Sequence, residues 1–283
     1  MKLELKLAFK NLFGSRLRTL LNVLVLSFSF VIIILLNSIM DGWDQQAQKD
    51  SIEWEFGNGH LVNEKYDPLD PYTILDGHDK IPMETDGLNP ILDRQASIYP
   101  QGRMMSVVLK GISSEQEILK LPTKILKESK EEFPVIIGKR LAESAKLNKG
   151  DRVQVRWRDI NGTYDANILS IIEVFDSNVP NIDTGKIWID INKLWGMTNL
   201  ENEASYFVVD DRFKNPELSS WNFKSQFALL KSLTDLINQK KTAQSIVYGL
   251  LLAIALLAIF DTQILSIYRR QKEIGTYIAL GMT

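Results

Sequence analysis

Two long apolar stretches, one near each end of the 283-residue chain, constrain this sequence more than any other feature. Residues 19–40 contain no charged side chain, and residues 242–268 contain only Asp261. At about 1.5 Å per residue, the first stretch would form a helix roughly 33 Å long, which is enough to cross the hydrocarbon core of a bilayer. We therefore predict transmembrane helices at residues 19–40 and 242–268.

Two other interpretations of the apolar stretches fit the sequence less well. A cleaved signal peptide has a shorter apolar region that ends in small residues, whereas Asp41, Gly42 and Trp43 follow the first stretch. If both stretches were buried core helices, the middle of the chain would have to pack around them. Its composition is instead that of a domain that can fold by itself. Both stretches are therefore interpreted as uncleaved spans.

Basic residues beside the spans predict the orientation of the chain in the membrane. Lys and Arg near span ends favour the cytoplasmic side, and Lys240 and Lys241, which lie on the opposite flank, are outweighed by eight basic residues on the flanks expected inside. We expect both ends in the cytoplasm and residues 41–241 in the periplasm or outside the cell, with the spans in the inner (cytoplasmic) membrane. The cytoplasmic flanks contain Lys2, Lys6, Lys10, Arg16, Arg18, Arg269, Arg270 and Lys272.

The first 18 residues have a pattern of their own. Lys2, Lys6 and Lys10 are spaced by four residues, which aligns them along one side of a helix. We expect residues 1–18 to form an amphipathic segment at the inner membrane interface, with these lysines and Arg16, Arg18 and Arg269 facing the headgroups. The alternative is a simple basic flank that only sets topology.

Charge distribution argues against a nucleic-acid-binding protein. Residues 41–241 contain 25 Lys and Arg against 32 Asp and Glu, whereas the two ends together contain 8 against 3. A nucleic-acid partner requires a basic patch on the folded part, so we predict none. The chain has no cysteine, which excludes disulfides and thiolate metal sites.

Strand and helix signals alternate between the spans, which predicts a mixed α+β domain over residues 41–241. Val153, Val155 and Trp157 alternate with polar residues, as in a strand with one buried face, and Asn161-Gly162 predicts a tight hairpin turn. Further strands are expected at 107–109, 135–137, 168–175, 186–191 and 206–209, helices at 115–126 and 139–147, and loops with edge pieces at 58–93. An amphipathic helix from Phe223 to Ile237 is expected to continue as a stalk into the second span.

The chemistry of an enzyme is missing from the pattern. His60 and His78 each lie alone in Gly- and Asp-rich surroundings, so we interpret both as solvated loop residues and predict no metal site. Gly185-Lys186 is followed by Ile187, where a phosphate-binding loop requires Ser or Thr. We therefore expect a non-catalytic chain without a bound cofactor. Asp261 either makes a polar contact that sets helix packing or lies at the wetted end of the second span.

Two sequence motifs flank the spans. After the second span lie Arg269-Arg270-Gln271-Lys272-Glu273-Ile274-Gly275 and Ala279-Leu280-Gly281, and before the first lie Ala8-Phe9-Lys10-Asn11-Leu12 and Arg16-Leu17-Arg18-Thr19-Leu20-Leu21. With these motifs the chain resembles the FtsX-like permeases of ABC transporters, which include the LolC/LolE lipoprotein-releasing permeases and MacB. Weaker matches to the lipoprotein-releasing branch follow in order at 38–42, 59–61, 109–112, 137–151 and 172–175.

This resemblance implies a function and partners. It implies a MacB-type periplasmic core-like domain, a separate cytoplasmic ABC ATPase that binds ATP-Mg, a second permease protomer in a homodimer or heterodimer, and a lipoprotein or other envelope substrate. It also implies that residues 269–283 begin a coupling segment and that two further spans follow. The residues expected to couple to the ATPase are Arg270, Glu273, Gly275, Leu280 and Gly281.

Two other functions fit the sequence. The family also contains efflux permeases of the MacB type, and no motif here identifies the substrate. A span, an outer domain, a second span and a basic inner flank are also the layout of a two-span membrane sensor whose outer domain binds a ligand.

Overall fold

The computed structural model describes residues 16–70, 74, 76–82, 86–213 and 220–281. The chain forms two compact units, which we describe separately. One consists of Met1–Asp44 with Thr234–Thr283, and the other of Gln45–Leu233.

Seven α-helices and eleven strands are numbered here in chain order among the described residues. The helices are α1 (Arg16–Ser51), α2 (Lys124–Glu128), α3 (Lys139–Ala145), α4 (Pro180–Asp183), α5 (Ile191–Thr198), α6 (Gln226–Arg269) and α7 (Gln271–Ala279), with a π-helical turn at Ile52–Phe56 and a 3₁₀ turn at Pro100–Gly102. The strands are β1 (Gly59–Asn63), β2 (Asp79–Lys80), β3 (Leu88–Ile98), β4 (Met105–Ile112), β5 (Pro134–Gly138), β6 (Arg152–Arg158), β7 (Tyr164–Phe175), β8 (Lys186–Asp190), β9 (Glu203–Ala204), β10 (Tyr206–Val209) and β11 (Trp221–Ser225).

Both predicted spans lie inside longer helices. The first, residues 19–40, lies in α1, which continues to Ser51. The second, residues 242–268, lies in α6, which also contains most of the predicted stalk without a break. The stalk prediction was wrong at its start, because Phe223 lies in β11 and the helix begins at Gln226. Residues 221–225 pair with β1 and so satisfy their backbone groups in a sheet.

The α+β unit is built on a nine-stranded sheet that closes on itself. The strand order is β11-β1-β10-β3-β4-β8-β5-β7-β6, and β6 pairs back with β3. Six strands from β3 to β6 therefore form a closed ring, while β10, β1 and β11 extend from the first half of β3. The closure is possible because β3 is long: Ile91 pairs with Tyr206 of β10, whereas Ala96 pairs with Trp157 of β6.

The ring encloses one apolar core. The alternation predicted for β6 is confirmed, since Val153, Val155 and Trp157 are buried and the residues between them are exposed. Trp157 donates from Nε1 to the backbone oxygen of Met197 at 2.7 Å, which ties β6 to α5. Removing a large side chain such as Trp157 from a core like this costs about 3–5 kcal/mol.

A second core lies on the other face of the sheet. Trp188 of β8 and Tyr206 of β10 belong to it, and Trp54 of the π-helical turn packs against it. A third, smaller cluster around Leu61, Phe207 and Trp221 supports the extension formed by β1, β10 and β11. The domain therefore buries apolar residues on both sheet faces, as packed layers require.

Two predicted features of the domain differ in the structure. The expected helix at residues 115–126 is a series of turns with only Lys124–Glu128 helical. Gln116 explains this, because its side chain accepts from the Leu119 amide at 2.7 Å and donates to the Leu119 carbonyl at 3.0 Å, replacing helical bonds. The hairpin at Asn161-Gly162 is present, but its loop is longer than two residues, since the Asp159 carboxylate accepts from the Thr163 amide at 2.8 Å.

The region from 58 to 93 was predicted as loops and edge pieces, and part of this prediction was wrong. Residues 59–63 form β1, a fully buried strand between β10 and β11, and β3 begins at Leu88. Leu61 packs against Phe207 and Trp221 on one face of β1, and Val62 enters the second core on the other. Burial on both faces makes β1 an interior strand.

Candidate functional site

By length and composition, two helices are capable of crossing a membrane, at Leu20–Phe56 and Gln226–Arg269. Almost none of the residues in their most apolar parts is buried within the protein, and many of their apolar side chains are exposed. Exposed apolar surface of this extent marks a region that lipid or another protein covers. Exposed examples are Leu24, Phe28, Val31, Ile34, Leu250, Ile254, Leu257 and Phe260.

Polar contacts join α1 and α6 at both ends of the apolar stretches. The Asn22 side chain lies 3.4 Å from the Thr262 hydroxyl at one end. At the other, Lys241 contacts the carboxylates of Asp41 at 3.0 Å and Asp44 at 3.2 Å. Lys241, a basic residue on the flank predicted to lie outside, therefore forms ion pairs between the two helices. Asn22 and Thr262 satisfy each other inside the apolar stretch, where an unpaired polar group is costly.

Asp261, the charged residue in the second stretch, is exposed on α6 beside Thr262. Within the described part of the chain, no side chain forms a hydrogen bond or ion pair with its carboxylate. Both predicted roles of Asp261, a packing contact with another subunit and a wetted end of the span, therefore stay predictions.

The predicted coupling segment folds as a short helix. Helix α6 ends at Arg269, and Arg270 adopts a non-helical conformation that starts α7. Arg270 Nε lies 3.6 Å from a Glu273 oxygen, with both side chains more than half exposed. An exposed pair of this kind contributes less than about 1 kcal/mol, so it leaves Glu273 available to a partner.

Exposed apolar residues on α7 give the coupling segment a contact surface. Ile274, Tyr277 and Ile278 are exposed at three- and four-residue steps, and Leu280 follows at 75 % exposure. No atom lies within 4 Å of the position that a Cβ on Gly275 would take. Gly281 has φ +84°, a left-handed conformation that favours glycine. The structure therefore brings the predicted coupling residues together on one exposed segment, and their role stays a prediction.

The predicted interfacial residues divide between described and undescribed parts of the chain. Arg16 and Arg18 lie at the start of α1, and Arg269 is the last residue of α6. Lys2, Lys6 and Lys10 lie outside the described residues, so the amphipathic segment 1–18 remains a prediction.

A buried cluster of charges in the α+β unit was not predicted from the sequence. The Lys110 ammonium lies 2.8 and 2.7 Å from the two Asp93 oxygens and donates to the Tyr206 hydroxyl at 2.9 Å. The side chains of Lys110 and Asp93 are only 5 % and 3 % exposed, respectively. Tyr66 donates to the same carboxylate, and Ser205 Oγ accepts from the Asp93 amide at 3.1 Å. All potential partners of the carboxylate are thus supplied internally, as a buried charge requires.

Burial and neighbouring charges shift the pKa values around this cluster. Burial alone would lower the pKa of Lys110, but the attraction of Asp93 outweighs it and holds that pKa above its ordinary value. Burial, reinforced by the nearby Lys110 charge, lowers the pKa of Lys186 to about 8. Burial also raises the pKa of Glu55. Lys110 is therefore charged at all physiological pH values, and its role here is structural.

Neither histidine is the solvated loop residue that was predicted. His60 lies in β1, buried, with Nε2 3.0 Å from the Glu55 carbonyl oxygen. Burial lowers its pKa to about 4. His78 is largely buried, and its Nδ1 contacts the Glu203 carboxylate. Among the described residues, no group of three or more His, Cys, Asp and Glu could hold a metal ion.

Comparisons with known proteins gave structural matches alone. No family model matches the chain, and no curated protein does. The chain is similar to the extracellular domain of the noncanonic ABC-type transporter YknZ from Gram-positive bacteria, at 14% identity and a TM-score of 0.33, over 55% of this chain and 84% of that one. It is also similar to the periplasmic region of MacB from Actinobacillus actinomycetemcomitans, at 9% identity and a TM-score of 0.37, over 63% and 94%.

Proposed function

We propose that this chain is a permease subunit of an ABC transporter, coupling ATP hydrolysis in a separate cytoplasmic ATPase to movement of its α+β domain outside the membrane. The observation that carries the proposal is α7 with its flanks. The run from Arg269 to Gly281 resembles the coupling segment of FtsX-like permeases, and it presents exposed apolar residues directly after a helix long enough to span. In this proposal the chain itself is not an enzyme, and ATP-Mg binds in the partner.

The proposed membrane arrangement has both ends of the chain in the cytoplasm. Residues 41–241 then lie outside the inner membrane, and a second permease protomer, identical or related, completes the transporter. The matches to the lipoprotein-releasing branch at 59–61 and 137–151 favour a lipoprotein as the transported substrate. A MacB-type efflux substrate is the alternative within the same architecture.

Co-purification from membranes tests the proposal. The full-length protein should bring an ATP-binding subunit with it, and Glu273→Ala combined with Gly281→Trp should reduce the amount recovered at least tenfold. The double substitution removes the Glu273 carboxylate and forces a bulky side chain onto a left-handed position. Lys231→Ala, at an exposed site on α6 at the other side of the predicted span, is the control and should change nothing.

Two results would contradict the proposal. Unchanged recovery of the ATPase with the double variant would remove the coupling role of α7. Recovery of a histidine kinase or another signalling partner in place of an ATPase would favour the two-span sensor.

A further inference from the structure

The domain end of α1 is not an ordinary helix end. After Ser51 the chain forms a π-helical turn, Ile52–Phe56, and the Gly57 amide donates to the Ile52 carbonyl at 2.9 Å. Gly57 has φ +52°, and a Cβ there would lie 2.7 Å from Val208 Cγ1 and 3.0 Å from the Val209 oxygen. The chain therefore turns from the helix into β1 at a point that only glycine fits. Single π turns are rare and frequently occur at functional sites.

Side chains from this turn contact several segments of the α+β domain. The Trp54 ring stacks on Phe175 of β7, with ring centroids 5.9 Å apart and an angle of 18°. Glu53 Oε2 lies 3.2 Å from Lys120 Nζ, and the Lys120 amide donates to the Glu53 carbonyl at 2.9 Å.

The contacts continue on both sides of Trp54. Asp50, which is buried, accepts from the Asn178 side chain at 3.1 Å. The Glu55 carboxylate accepts from Asn181, and the Glu55 carbonyl lies 3.0 Å from His60 Nε2. Every residue of this set belongs to the compact unit Gln45–Leu233. The end of α1 and the π-helical turn are thus held by contacts to β7, to β1 and to the segments around residues 120 and 178–181.

The first residue of α6 reaches the same place. Gln226 Nε2 donates to the Gly57 carbonyl at 2.8 Å. The preceding strand, β11, pairs with β1 so that Ser225 lies opposite Gly59. The Gln226 bond therefore links the start of α6 to Gly57, the residue that follows the π-helical turn, and the pairing of β11 with β1 holds the two chain segments together beyond it.

We infer that the π-helical turn Ile52–Phe56 and Gln226 form a joint that fastens the ends of both long helices to the α+β domain, and that this joint is needed for the domain to move with the helices. The inference rests on the proposed function. A frayed helix end would absorb a displacement of α1 or α6, whereas an end held by Trp54 stacking and the Gln226 bond passes it to the sheet. Trp54 and Gln226 are positioning residues in this mechanism.

The test measures domain movement in the full-length protein with its co-purified ATPase, reconstituted in lipid vesicles. A fluorophore on Asn161→Cys, at the exposed β6–β7 loop, transfers energy to acceptor lipids, and the ATP-dependent change in transfer efficiency is recorded. Trp54→Ala with Gln226→Ala should lower this change at least twofold, while ATPase recovery and ATP hydrolysis remain. The single substitution Trp54→Phe, with Gln226 retained, keeps an aromatic ring against Phe175 and should give the wild-type change in transfer efficiency.

Controls separate the joint from general damage and from failure of the proposed function. Phe227→Ala, at the exposed residue next to Gln226, should leave the change intact. If the double variant misfolds, Gln226→Ala alone, which keeps the Trp54 stack, should still lower the change. A full ATP-dependent change in both variants would overturn the inference while the permease function stands. Absence of an ATPase from the wild-type preparation would overturn both.

Discussion

Individual residues in the α+β domain carry charge in places where water does not reach. Lys110 and Asp93 form a direct cross-strand pair between β3 and β4, with Tyr66 and Tyr206 completing their hydrogen bonds. Losing one partner of such a pair costs about 3–5 kcal/mol, because the other charge stays buried without compensation. The sequence contains a hint of this site, since Lys110 interrupts the apolar run from Val107 to Ile112. Its partner is invisible there, because the register of β3 against β4 sets the pairing.

His60 gives a testable pH dependence. The folded protein holds its pKa at about 4, below the ordinary value of 6.5, chiefly by burial. Between these pH values the unfolded chain binds a proton that the folded chain does not, so stability falls as the pH drops from 6.5 to 4. His60 should account for a loss of about 3 kcal/mol over this window.

His60→Gln tests this dependence because glutamine keeps a donor for the Glu55 carbonyl but does not titrate. Unfolding free energies of the wild type and the variant, measured from pH 7 to pH 4 in detergent, should differ in slope by the contribution of His60. Parallel curves would show that His60 does not titrate as its burial predicts.

At the scale of elements, the sequence predicts those whose pattern is local. The alternation of apolar and polar residues was enough to place β6. The short apolar run from Val135 that leads through Gly138 to Lys139 was enough to place β5 and α3. β1 and β11 were missed because each is five residues long and they are stabilised by pairing with each other, and β1 also with β10. The coupling segment was placed by resemblance, and its exposure could be seen only in the structure.

Two glycines in the domain should respond in opposite ways to alanine. A Cβ on Gly138, where β5 meets α3, would lie 1.8 Å from Asp183 Cβ, and Asp183 is fully buried in an ion pair with Arg140. Gly138→Ala should destabilise the domain by about 3 kcal/mol or more. Gly196 lies inside α5 with no atom within 4 Å of its Cβ position, so Gly196→Ala should stabilise it by about 0.5–1 kcal/mol.

Thermal or denaturant unfolding of the two variants beside the wild type decides this prediction. Equal effects from both substitutions would mean that the close approach of Gly138 to Asp183 does not govern the packing of α3 and α4.

For the whole molecule, hydropathy was enough to predict two helices long and apolar enough to cross a membrane and an α+β domain between them, whereas the sheet order could not be predicted. Ring closure depends on β3 pairing with β6, residues about 60 positions apart, and no local pattern specifies such a contact. Lys241 shows the same limit: in sequence it opposed the predicted topology, and in the structure it binds Asp41 and Asp44 of the other long helix.

The placement of the domain and the coupling segment on opposite sides of the membrane is the claim on which the proposed function depends. Residues 1–283 contain no cysteine, so a cysteine introduced at Asn161 or Lys272 gives this segment a single site for a membrane-impermeant thiol reagent, and labelling is read against the protein without the introduced cysteine. We predict that Asn161→Cys is labelled in cells whose outer layer has been opened and whose inner membrane is intact. Lys272→Cys should be labelled only after the inner membrane is permeabilised. Labelling of both positions from the same side of the inner membrane would contradict the account.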